Sequence, residues 1–67
     1  MKYKVGSIVT YRDFLGSSRT VRVEEKYADI KNGRPGFAGP MIDENGNALG
    51  DVWGYDSQIV RVDRYEA

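Results

Sequence analysis

The residues best equipped for recognition chemistry fall in one stretch, Asp51-Val52-Trp53-Gly54-Tyr55-Asp56-Ser57-Gln58-Ile59-Val60-Arg61-Val62, which holds the only tryptophan of the chain. Tryptophan and tyrosine combine a large apolar area with a polar handle, which suits both cores and interfaces. On a strand, a period of two puts Asp51, Trp53 and Tyr55 on one face and Val52 and Gly54 on the other. An unpaired Asp51 resists burial, so its face is the outer one. Trp53 and Tyr55 are then presented together, Val52 points inward, and Gly54 permits a close backbone approach or a bend. The competing reading makes Trp53 ordinary core that caps one end of the fold, because large aromatics are seldom exposed without a partner.

The remaining chemistry is sparse. The chain has no cysteine and no histidine. Disulfides, thiolate zinc sites and the commonest general base are therefore absent. Glu24 and Glu25 are adjacent on a strand and face opposite sides, and Asp43-Glu44 lie in a turn. Neither pair converges as acid-base catalysis or a hard-metal site requires. Ser17, Ser18 and Ser57 have no histidine to activate them. Gly33, Gly36 and Gly39 are evenly spaced but open no helix, so they form no phosphate cradle. Neither catalysis nor a cofactor is expected.

A second constellation is basic. Arg19, Arg22, Lys26, Lys31 and Arg34 follow one another along a strand and the loop after it. Interleaved with Tyr27, Phe37 and Trp53, they form a candidate surface for tracking a nucleic-acid backbone and stacking bases. Against this, Glu24 and Glu25 neutralise the run, and charges on strands commonly keep edges apart. Ten basic and ten acidic residues cancel. A general electrostatic grip on nucleic acid needs a positive surplus.

Short strands separated by turns must position these groups. The chain has 67 residues, so one small domain over residues 1–67 is expected. Ser7–Arg12 is β-rich after a Val5-Gly6 turn, and Phe14–Ser18 reads as a loop. Arg19–Tyr27 alternates, with Val21 and Val23 inward, and runs on toward Ile30. Lys31-Asn32-Gly33-Arg34-Pro35-Gly36 is a loop signal. In Phe37–Ile42, Pro40 cannot donate to a ladder, which predicts an edge, bulged or short strand. Asp43–Asn47 is a hairpin turn and Ala48–Tyr55 the returning strand. Asp56-Ser57-Gln58 fits one 3₁₀ turn, Ile59–Asp63 is the last strand, and the tail (residues 63–67) is expected to fray.

This order, with Trp53 leaving the fourth strand, a one-turn helix at Asp56-Ser57-Gln58, and Ile59 and Val62 in the fifth, resembles the SH3-like small barrels. The resemblance covers nearly the whole chain and implies an all-β, five-stranded barrel. It also implies a ligand face between the first long loop, with Tyr11, Arg12, Asp13 and Phe14, and the second, with Lys31, Asn32, Arg34 and Phe37. Trp53, Tyr55, Tyr11, Phe14, Phe37 and Arg34 are the candidate partner-binding residues on that face. The first loop has no acidic run and Trp53 is not followed by proline, which departs from the peptide-binding SH3 pattern and argues against PxxP ligands. The chain also looks like a loose class of short bacterial and phage-borne proteins ending in a W-G-Y-D-x-Q-I string, a likeness that supplies no activity.

The expected function is a non-enzymatic interaction module for a protein segment, with nucleic-acid binding as the alternative. No run approaches the ~20 apolar residues of a membrane span, and the first residues lack the apolar stretch of a signal peptide. A cytoplasmic monomer or weak homo-oligomer, of cellular or phage origin, is the expectation.

Overall fold

The computed structural model describes residues 2–64, and they form six strands and one 3₁₀ turn. The strands are β1 (Ile8–Arg12), β2 (Ser18–Arg22), β3 (Glu25–Lys31), β4 (Arg34–Ile42), β5 (Ala48–Tyr55) and β6 (Ile59–Arg64). The 3₁₀ turn, Asp56–Gln58, joins β5 to β6. All strand pairs are antiparallel. Along the sheet the order is β3-β4-β2-β1-β6, and β5 takes the other edge of β4. The sheet curls into a half-barrel.

The all-β expectation holds, but the strand count is six rather than five. The expected single strand from Arg19 to Tyr27 breaks at Val23-Glu24. There the backbone changes partners: Val23 N–H donates to the Ser7 carbonyl, and Glu24 N–H donates to that of Ala38. β2 therefore belongs chiefly to β1, and β3 belongs to β4. Alternation survives the break, since Val21 and Val23 are both fully buried.

Two further expectations are corrected. Lys31–Gly36 is not a loop: the connection tightens to Asn32-Gly33, whose φ values of 58° and 74° suit a primed hairpin turn. The Asp29 carboxylate accepts the Gly33 N–H at 2.9 Å and closes it. Nor is Pro40 on an edge. It lies inside the nine-residue β4, which is paired on both sides. The Ala38 carbonyl faces the β2–β3 side, so two residues on the Pro40 nitrogen faces that side too. That is where β4 passes from β3 to β2, and the missing donor falls at the seam. A bulge does occur nearby, between Met41 and Ile42 in the pairing with β5.

The core comprises Tyr3, Val9, Tyr11, Val21, Val23 and Phe37, with Met41, Val52, Ile59 and Val62 packed against it. Phe37 is fully buried, and its ring stands edge-on to Tyr11 and Tyr3, with centroids 5.3 and 6.0 Å away. The strand end is also held: Asp63, expected in the frayed tail, accepts the Thr10 hydroxyl at 2.6 Å, and Arg64 pairs with Ile8. The rest of that tail, residues 65–67, lies outside the described residues.

The strand break at Val23-Glu24 passes closely over β4 at Gly39. A Cβ there would sit 2.0 Å from the Arg22 carbonyl oxygen and 3.0 Å from the Glu24 nitrogen, both rigid backbone atoms. Gly39→Ala is therefore expected to destabilise the fold by about 1–3 kcal/mol or more, as overpacking does. Urea unfolding followed by Trp53 emission measures it, and an unchanged midpoint would contradict the packing described.

Candidate functional site

Pairing across β4 sorts β5 into two faces. Phe37 stands opposite Gly54, on the core face. On the outer face Trp53 stands opposite Ala38 and Tyr55 opposite Gly36. These small partners leave room for two large rings. From the other side of β4, Tyr27 pairs with Gly36 and Glu25 with Ala38, so Tyr27 shares the outer face. Trp53 is 38% exposed, whereas Val52 packs against the core. Tyr55 lies beside Trp53 as expected, but it is covered and forms the floor of the face rather than its surface.

The first loop supplies the rest. The Gln58 side chain ties the 3₁₀ turn to both strands: its amide donates to the Arg12 carbonyl and its oxygen accepts the Tyr55 N–H, both at 2.8 Å. The loop after Arg12 is thus fixed over the end of β5. Phe14 meets Trp53 and Tyr55 edge-on, with centroids 5.9 and 6.1 Å away, and Trp53 and Tyr55 are 5.4 Å apart. The Arg34 guanidinium lies 4.5 Å from the Tyr55 centroid and donates to the Ser57 hydroxyl at 3.0 Å. Lys31 Nζ lies 5.7 Å from the Trp53 centroid.

Of the candidate partner-binding residues, Phe14, Arg34, Trp53 and Tyr55 therefore meet on one face. Tyr11 and Phe37 do not: both are core, because the inward positions of β1 and β4 place their rings against each other. Burial, and secondarily the Asp13 charge, pushes the Tyr11 phenol above its ordinary range. The five basic candidates form no single stripe. Arg19 and Arg22 project to opposite faces of β2 and are ion-paired, with Asp13 at 3.0 Å and Glu24 at 3.8 Å. Lys26 lies over the Tyr3 ring and donates to the Tyr3 carbonyl. Only Lys31 and Arg34 reach the aromatic face.

Sequence reasoning missed Leu15, 90% exposed beside the 69% exposed Phe14. The signal was present as an internal comparison. Asp13-Phe14-Leu15-Gly16-Ser17 and Asp43-Glu44-Asn45-Gly46-Asn47 are the same loop made twice. In each, the aspartate oxygen accepts N–H bonds from the third and fifth loop residues, and the glycine N–H returns to the aspartate carbonyl. The glycines share a φ near 85°. The second loop fills its two free positions with Glu44-Asn45, and the first fills them with two large apolar residues.

Two open grooves flank Trp53. One runs between Phe14, Arg34, Tyr55 and Val60. The other lies among Tyr27, Ile30, Lys31 and Trp53. Among the described residues no cluster of three or more acidic side chains is arranged to hold a metal ion, and no helix is long and apolar enough to cross a membrane. No protein-family model, curated protein or solved structure matches this chain.

Backbone N–H bonds hold the Asp13 and Asp43 carboxyls below their ordinary range, led by Ser17 and Asn47 respectively, with Arg19 second for Asp13. A lowered folded pKa stabilises the fold above the unfolded value and is lost as pH falls through the folded one. Stability should therefore decline between about pH 5 and pH 2, and less steeply in Asp13→Asn/Asp43→Asn. Denaturant titrations across that range measure it; equal slopes would refute the loop assignment. Replacing Phe14-Leu15 by the Glu-Asn pair of the other loop should keep the loop bonds, which involve neither side chain, and cost about 1–3 kcal/mol for the two edge-on ring contacts of Phe14.

Proposed function

We propose that this chain is a non-enzymatic binding module that takes a segment of a protein partner on the face formed by Phe14, Trp53, Tyr55 and Arg34. One observation carries the reading: Phe14 and Trp53 meet edge-on while both expose apolar surface, and Leu15 next to Phe14 is 90% exposed. Interfaces draw on aromatic and arginine anchors of this kind. The curled sheet and the 3₁₀ turn before β6 support assigning the fold to the SH3-like barrels, whose ligand face occupies the corresponding place. Residence in the cytoplasm, as a monomer or weak homo-oligomer, belongs to the same reading.

The nucleic-acid alternative is weaker. The flat faces that would stack bases are occupied here, Tyr55 by Arg34 and Trp53 by Lys31. Three of the five candidate cations are engaged elsewhere.

Trp53 emission is expected to be quenched by acrylamide in the free protein and protected in a cell extract that contains the partner. A photoreactive analogue at Leu15 should then give a discrete protein adduct in that extract. Trp53→Ala and Phe14→Ala should abolish the adduct, while Arg61→Ala, in the groove beside the Asp43 loop, should not. An adduct that survives both aromatic variants, or one formed only with nucleic acid, would overturn the reading.

A further inference from the structure

Among the described arginines, pairing differs with place. Arg19, Arg22 and Arg61 each have a carboxylate partner, Asp13, Glu24 and Asp63 respectively. Arg12, Lys31 and Arg34, the three cations beside the face, have none within ion-pair distance among the described residues. The nearby acids already have partners, although Asp13 and Asp29 line the two grooves. Asp13 is used by its own loop and by Arg19, Asp29 closes the Asn32-Gly33 turn, and Asp56 accepts the Tyr3 hydroxyl.

The field along the face is therefore polarised. Arg12 and Arg34 line the groove with Phe14, Tyr55 and Val60; Asp13 lines it too, with its carboxylate paired to Arg19. At the other end, Glu25 and Asp51 flank the row that holds Ala38 and Trp53. Val60, 47% exposed, adds apolar floor at the cationic end. The chain has zero net charge, so this surplus is a local one.

We propose that the groove lined by Arg12, Phe14, Arg34 and Val60 docks an acidic, extended protein segment. Its carboxylates meet the two arginines, and an apolar side chain packs against Phe14 and Leu15. This deepens the binding reading of the same face and rests on it. Complementary charge fixes the direction of the segment and speeds encounter, while the apolar tip supplies the contact area. The nucleic-acid alternative would need the same cations and free ring faces, and here the cations lie on the rings.

A random peptide library panned against the immobilised chain tests this. The expected outcome is enrichment of peptides that combine aspartate or glutamate with large apolar residues. A selected peptide, followed by fluorescence anisotropy, should bind on the order of tenfold more weakly to Arg12→Gln/Arg34→Gln, the combined effect of two exposed charge pairs. Binding should weaken with added salt. Arg34→Lys should retain most of the affinity that Arg34→Gln loses, and Leu15→Asn should weaken binding while melting as the wild type does, since its side chain takes no part in the loop bonds. Equal losses in Arg34→Lys and Arg34→Gln would mean that packing on Tyr55 matters and charge does not, which overturns the proposal. Enrichment of apolar peptides with no acidic excess would overturn it too, yet leave the binding face standing. If no selected peptide depends on Trp53 or Phe14, both readings fall together. Preferential binding of a labelled oligothymidylate would transfer the face to nucleic acid. A concentration-dependent mass abolished by Leu15→Asn would make the occupant a second copy.

Discussion

The fit of Phe37 over Gly54 is the constraint on which the rest depends. A Cβ on Gly54 would lie 2.8 Å from the Phe37 ring and 3.2 Å from that of Tyr11. Burying a phenylalanine is among the larger single contributions available to a domain this small, where the margin of stability is a few kcal/mol. That burial fixes which face of β5 turns inward. Once Gly54 faces the core, Trp53 and Tyr55 must face out, because side chains on a strand alternate. The core thus dictates the position of the aromatic face. Gly36 and Ala38, paired across from Tyr55 and Trp53, keep the outer side open enough for both rings.

The face is completed by a contact far apart in sequence. Gln58 reaches back to Arg12, bringing the loop after β1 against the end of β5. Phe14 then packs on residues about forty positions away. The loop itself is held by Asp13 through backbone bonds that involve neither side chain at 14 and 15. Its twin at Asp43 carries polar residues in those places and shows that the loop geometry does not require apolar ones. Phe14 packs on Trp53 and Tyr55, whereas the loop bonding calls for no apolar side chain at Leu15.

Much of the architecture was legible in the sequence because short-range chemistry governs it. Alternation at Val21 and Val23, the 3₁₀ turn at Asp56-Ser57-Gln58, the turn glycines and the shared face of Trp53 and Tyr55 follow from periodicity and backbone preference, whereas core and surface readings of Trp53 both remained open. Errors arose wherever pairing partners decided the outcome. Arg19 to Tyr27 reads as one strand, because nothing local marks the point at which hydrogen bonding passes from β1 to β4. Pro40 reads as an edge residue, because a sequence does not reveal a seam between two partners. Tyr11 and Phe37 read as members of the ligand face, because their ring chemistry is that of Phe14 and only the curl of the sheet separates them.

The sequence by itself determined an all-β chain with no cysteine or histidine chemistry, and it placed Trp53 and Tyr55 on the face that Val52 and Gly54 do not share. Those properties depend on residue types and on a two-residue period, which are local. Tertiary structure alone decided that Phe14 joins that face, that Arg34 lies over Tyr55, and that Arg12 and Arg34 beside the rings have no carboxylate partner among the described residues while Arg19, Arg22 and Arg61 have one. These are distances between segments remote along the chain. They are set by the curl of the sheet around Phe37, which no local pattern encodes.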